Sequence, residues 1–333
     1  MSEAAVNSAA VPPPLIARAG RALRRAPGAI ADAWFAPAPA ERLAAMRILT
    51  GLFVVGYVLV RGTTLWRLAA MPRRDFTPVG LARFLDGPLV AWAHHASVVV
   101  MAALAFAFTV GLLHRWLAPL FAIALLWVMG YRSSWGMLFH TDNLLVLHVA
   151  VIALAPAADA WSWDAGRRGG RRPPALSEAY GWPLKVMAAM TVLTYFVAGV
   201  AKIKLGGWAW AEGVQLREQV AIDNARKALL GSSMSPLAAP MLAHDRLFAV
   251  MAMMSLTIEL GAPLALLHRR IAALWTLAAW GFHVGVIALM AILFPYPLFG
   301  LAYAPLFRVE RPLAWIGRQL ARPVRRWRSA RTP

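Results

Sequence analysis

The chain has 333 residues, of which 60% are hydrophobic and only 15% charged, against about 25% charged in an ordinary soluble domain. Its 34 basic and 15 acidic residues leave a net charge of +19, and its mean hydropathy is +0.58. A basic balance suits a nucleic-acid binder, but such a protein needs a soluble fold to carry its basic face, and apolar residues in long blocks make the bilayer the natural solvent. No nucleic-acid partner is expected. With no cysteine, disulfides, thiolate catalysis, iron–sulfur clusters and Cys-ligated zinc are excluded.

Met1 to Pro14 is small and Pro-rich and reads as disordered. Residues 15–35 place arginines and apolar side chains at helical spacing. That predicts a basic amphipathic helix lying on anionic lipid headgroups, so residues 1–40 form an interfacial segment. No compact apolar run follows those arginines, so a secretory signal is not expected.

Eight apolar blocks follow, over 43–60, 96–113, 117–131, 143–158, 183–203, 247–267, 271–292 and 294–307. A span needs about 20 mostly apolar residues, so the pattern predicts an all-α polytopic membrane helix bundle of about eight transmembrane helices over 41–310. The third and last blocks are the shortest of the candidates. Pro263 lies inside a block and predicts a kink or an early end. Residues 311–333 form an Arg-rich tail.

The positive-inside rule puts both termini in the cytoplasm, with Arg115, the cluster Arg167, Arg168, Arg171 and Arg172, and the pair Arg269 and Arg270. The outer side then receives two long connections, 61–95 and 204–246. Loops of that length are usually functional or partly helical, and 211–230 is expected to form a short outer helix. The outer face is the better place for a site.

A charge within a span marks a functional site by default. Arg47 and Lys185 lie near cytoplasmic helix ends, where snorkelling accounts for both. His148 lies two turns inside the fourth block, behind His140 and Asp142 at its mouth. Each is a site candidate, and a satisfied structural histidine is the plain alternative for His148. Glu259 needs a specific partner or must neutralise, and His283 in the next block is a plausible one. Lys202 closes the fifth block. Lysine can act as a base where arginine cannot, although spacing alone favours a helix-end marker for Lys202 and Lys204. HTDNLLVLH lacks the HExxH arrangement of a zinc site, and no metal is expected. GxSxG, P-loop and dinucleotide signatures are absent.

Three stretches then carry a resemblance. They are YFVAGVAKIKLGGWAWAEG at 195–213, HTDNLLVLHVAVIALAPAADAWSWDA at 140–165 and FHVGVIALMAILFPYPLFGLAYAPLF at 282–307. In order and spacing they resemble the transmembrane domain of vitamin K-dependent gamma-carboxylase and its bacterial relatives, the HTTM (horizontally transferred transmembrane) proteins. The resemblance covers about residues 40 to 310. It implies a bacterial inner-membrane protein with a lipidic quinone or hydroquinone as cofactor. Lys202 falls on the lysine that deprotonates the hydroquinone, and His283 falls on the histidine of the third motif. His140 is displaced by about two residues from the family's catalytic histidine, and Asp142 stands in that register. The resemblance thus implies catalytic roles for Lys202, His140 and His283, with Asp142, His148 and Glu259 lining the cofactor site. The carboxylase continues into a large non-membrane domain where this chain has its Arg-rich tail, so a Gla-protein substrate is not implied. Two functions follow from this reading. One is carboxylase- or epoxidase-like chemistry dependent on hydroquinone. The other is a non-enzymatic role, as a small-molecule transporter or an assembly partner.

Overall fold

A computed structural model of the chain describes residues 28, 32–136, 140–169 and 173–329, the side chains of 140, 141 and 321–329 excepted. Most of the expected amphipathic segment at 15–35 lies outside the described residues. Among those described there is no strand, only a single bridge between Ala38 and Ser177. The long helices are α1 (Ala40–Arg67), α2 (Ala91–Val110), α3 (His114–Ser133), α4 (His140–Ala153), α5 (Glu178–Gly206), α6 (Val214–Leu229), α7 (Asp245–Leu260), α8 (Arg269–Met290) and α9 (Glu310–Ser329). Five of these are long and apolar enough to cross a bilayer: α1, α2, α3, α5 and α8. Large apolar side chains stand exposed on their outer faces, among them Leu59, Trp92, Phe106 and Leu274. A soluble protein would not carry such a surface, so the chain is an all-α polytopic membrane protein.

The remaining apolar blocks fold differently from a plain span. Helix α4 has only 14 residues and α7 only 16. At 1.5 Å per residue each falls short of the ~30 Å hydrocarbon layer. Turns with buried alanines at 155, 157, 158 and 160 continue α4. A 3₁₀ helix, Ala262–Leu266, continues α7 around Pro263, which is the early end that proline predicts.

The block at 294–307 is not a helix, and the expectation of a helical span there is corrected. It holds a four-residue helix, Pro295–Leu298, and a 3₁₀ turn, Ala304–Leu306. Three prolines, at 295, 297 and 305, deny it a continuous ladder. The segment still crosses, running antiparallel to α8. Phe294 packs on His283, Trp280 donates its indole N–H to the Leu298 carbonyl at 3.0 Å, and Tyr303 lies edge-on to Trp275. At its far end Arg42 of α1 donates to the Pro305 and Phe307 carbonyls, both at 3.1 Å. Irregular backbone survives at membrane depth only where protein covers it, and Tyr296, Pro297, Ala302, Tyr303, Ala304 and Pro305 are all buried.

The starts of α1, α8 and α9 therefore meet at one end of the bundle, called the Arg42 end. The opposite end receives the C-termini of α1, α3, α5 and α8. The helix expected at 211–230 is α6, and it sits at this second end. Its Asn224 and Lys227 donate to the carbonyls of Leu289 and Met290, and Ser235 donates to Ala288. These are the last carbonyls of α8, which a helix leaves without internal partners.

Candidate functional site

Lys202 lies one turn before the end of α5, at the second end of the bundle. Its Nζ donates to Glu259 Oε1 of α7 at 2.7 Å and to Ser255 Oγ at 3.3 Å. Ser255 and Glu259 are four residues apart on one helix, so both face α5. The side chains are 20% and 5% exposed, so the pair is largely desolvated. The Trp210 and Phe282 rings cover the ammonium, with centroids 5.0 and 5.5 Å away. Trp210 comes from the 3₁₀ helix Gly207–Glu212 that continues α5, and Phe282 comes from α8. Three elements thus converge on one Nζ. Glu259 Oε2 and the Trp210 indole N–H are buried and have no hydrogen-bond partner among the described residues. The site holds one spare acceptor and one spare donor beside two aromatic faces.

The sequence suggests Glu259 and His283 as partners. The hydrogen bonds place them differently. Glu259 is bound to Lys202, and His283 Nε2 lies 2.7 Å from the Tyr195 hydroxyl. Tyr195 is also 2.6 Å from the Tyr303 hydroxyl. One hydroxyl proton serves two bonds, so Tyr195 donates to one neighbour and accepts from the other. Tyr195 precedes Lys202 by seven residues, two turns, and stands on the same side of α5.

His148 is fully buried between α4, α5 and the broken crossing. Its Nε2 donates to the Met187 carbonyl at 3.1 Å, so Nδ1 accepts from the Tyr296 hydroxyl at 2.8 Å. A carbonyl can only accept, so Nε2 carries a proton, and in the neutral ring Nδ1 is the acceptor. Thr191 supports the ring at 3.3 Å and donates to the Ala302 carbonyl at 2.6 Å. Asp142, in the first turn of α4, pairs with Arg132 of α3 at 2.5 Å. His140 opens α4, and its side chain lies outside the described residues. The candidates therefore divide into the Lys202–Glu259 pair, the His283–Tyr195–Tyr303 group, the His148 junction and the Asp142–Arg132 pair.

Sequence reasoning missed Tyr195, Tyr303, Tyr296, Ser255 and Trp210. A signal was present: the chain has six tyrosines, and three of them join these polar groups. The Ser255–Glu259 spacing was another.

Arg47 is a correction. Snorkelling would leave its guanidinium at the headgroups, but the side chain is 0% exposed. It donates to the Trp161 carbonyl at 2.5 Å, because the corner at 158–168 closes over this end of α1. The Trp-Ser-x-Asp stretch builds that corner. Ser162 accepts from the Ala165 N–H at 2.8 Å, and Asp164 accepts from the Leu113 and His114 N–H groups at 2.9 and 2.8 Å. A carboxylate on the first N–H groups of α3 is an N-cap, so this stretch has a structural task.

The family model for the HTTM domain matches residues 35–311. The chain belongs to the HTTM family. No curated protein and no solved structure matches it. The matched region starts just before α1 and ends as α9 begins, so all the polar groups above lie within the HTTM domain. Among the described residues no group of three or more His, Asp or Glu side chains is placed to hold a metal ion.

Proposed function

We propose that this HTTM protein is a hydroquinone-dependent membrane enzyme with Lys202 as its base. The observation that carries the proposal is the Lys202 ammonium, held against Glu259 between two aromatic faces, with a spare carboxylate oxygen and a spare indole N–H alongside. A planar ring bearing hydroxyl groups matches that set: the faces stack on the ring, and the spare atoms bind its oxygens. A bound lipidic hydroquinone supplies, with oxygen, a base strong enough to remove a proton from carbon, which is the chemistry of a carboxylase- or epoxidase-like reaction.

The protein's own residues have distinct tasks. Trp210 and Phe282 orient the ring and keep water from the Nζ. Glu259, 2.7 Å from the Nζ, is placed to take its proton. That transfer leaves Lys202 with a free amine, the form in which a lysine acts as a base. Tyr195, Tyr303 and His283 form a separate hydrogen-bonded group two turns from Lys202 along α5 and are the proposed acceptors of a proton leaving the site. His148 holds Tyr296 and so fixes the broken crossing behind it. Asp142 and His140 stand at the same end of the bundle, at the mouth of α4. The proposed location is a bacterial inner membrane, with the Arg42 end facing the cytoplasm and anionic lipid.

The test uses full-length protein in detergent with a short-chain hydroquinone and oxygen. Wild-type protein is expected to oxidise the hydroquinone. Lys202→Ala should slow turnover by about 10²-fold or more, the usual loss for a general base. Lys202→Arg should fail as completely, because arginine keeps the charge but does not deprotonate. Full turnover in either variant overturns the assignment.

The direct 2.7 Å contact also favours a second reading, in which the pair ties α5 to α7 and the protein is a transporter or assembly partner. Then Lys202→Met with Glu259→Leu would leave function intact, whereas the enzyme reading requires its loss.

A further inference from the structure

The Arg42 end holds a cavity of about 500 Å³ that the Lys202 site does not use. Among the described residues five cations line it: Arg42, Lys185, Arg269, Arg308 and Arg311, with His268 beside them. Arg42, Lys185, Arg269 and Arg311 come from α1, α5, α8 and α9, and Arg308 from the link before α9, all brought together by the return of the broken crossing. Among the described residues no carboxylate lines it, although Glu310 offsets part of the charge from beside Arg42. Helices α1, α8 and α9 all begin here, and α1 has no side-chain cap on its first N–H groups. Helix starts add partial positive charge. Lysine 185 is seventeen residues before Lys202 on α5, which puts the two sites about 25 Å apart along the helix, close to the thickness of the hydrocarbon layer.

An apolar groove lies beside this cavity. This groove of about 360 Å³ runs along α5 past Val186, Met190, Leu193 and Phe196, and it shares Leu266 with the cationic cavity. Four of the cations have exposed side chains, so their heads can turn to an incoming anion. A cationic cup and an apolar groove that both border Leu266 suit a phosphate ester with an acyl tail.

We infer that the Arg42 end binds one anionic phospholipid, its phosphate among Arg42, Lys185, Arg269, Arg308 and Arg311 and one acyl chain in the Val186–Phe196 groove. A free phosphate would use the cup alone. The groove is what assigns the site to lipid. This inference does not depend on the hydroquinone reading.

The experiment is native mass spectrometry and thermal melting of the full-length protein in detergent, titrated with phosphatidylglycerol, phosphatidylcholine or inorganic phosphate. Phosphatidylglycerol should be retained as one adduct and should raise the melting temperature, while phosphatidylcholine does neither. The triple variant Lys185→Gln, Arg269→Gln, Arg311→Gln should bind phosphatidylglycerol about a hundredfold more weakly, at roughly fivefold per surface cation. Arg115→Gln, an exposed arginine outside the cavity, should bind as wild type. Ala189→Phe fills the groove and should weaken phosphatidylglycerol while leaving any phosphate effect unchanged. Equal retention of the two lipids, or wild-type binding by the triple variant, overturns the inference. Stabilisation by millimolar phosphate equal to that by lipid, or wild-type lipid binding in Ala189→Phe, also overturns it by reducing the site to a free-anion cup.

Discussion

Gly199 of α5 faces Glu259 of α7 so closely that a methyl group on the glycine would lie 2.9 Å from the Glu259 Cβ. The same methyl would lie 3.0 Å from Leu260 Cδ2. This contact sets the separation of the two helices that carry the Lys202–Glu259 pair. Small residues at helix contacts do this work in membranes.

Gly199→Ala should therefore force α5 and α7 apart and cost about 1–3 kcal/mol, the usual range for overpacking. It should also slow hydroquinone turnover without touching Lys202. Wild-type melting and turnover would show that the helices are not held by this contact.

The ion pair makes a separate prediction. Glu259→Leu leaves Lys202 with no carboxylate partner in a poorly solvated place, and should cost about 3–5 kcal/mol. Adding Lys202→Met should recover much of that loss, because no buried charge is left over. A double-mutant cycle in melting experiments measures the coupling. Additive losses would mean the two side chains do not interact.

Tyr195→Phe removes a hydroxyl that bridges His283 and Tyr303. The expected loss is about 1–3 kcal/mol, since buried partners are left unsatisfied. If the hydroxyl also passes protons, turnover should fall further than in His148→Gln, whose ring ties structure together away from Lys202. Equal turnover in the two variants would remove the relay role of Tyr195.

Arg47 gives a counter-intuitive expectation. Its Nε and Nη1 are buried and have no hydrogen-bond partner among the described residues. Arg47→Met discards a costly charge and keeps most of the volume, whereas Arg47→Lys keeps the charge and loses the planar fork. The methionine variant should melt above the lysine variant. The reverse order would show that the charge itself is needed at the 158–168 corner.

The sequence made the bundle legible and singled out Lys202, Glu259 and His283 as polar residues within it, because apolar blocks and isolated charges are local features. It did not reveal who meets whom. Glu259 reaches Lys202 and His283 reaches Tyr195 because of the rotation of α5, α7 and α8 about their axes. Rotation depends on packing such as the Gly199 contact, which no window of sequence contains. The block at 294–307 read as a helix because hydropathy counts side chains and ignores the backbone. Its prolines at 295, 297 and 305 were the warning. Arg47 read as snorkelling because its distance from a helix end was visible, while the loop that folds over that end was not.

The broken crossing also orders the biogenesis of the protein. A helix satisfies its own backbone and can enter the bilayer alone. The stretch from Ala291 to Phe307 cannot, because its exposed carbonyls and N–H groups would meet lipid. It must wait until Trp280, Tyr195, His148 and Arg42 are in place to receive it. Closure of the bundle is thus a late step, made after every spanning helix has been delivered. The cationic end, which needs Arg308 and Arg311 from beyond that stretch, is completed last.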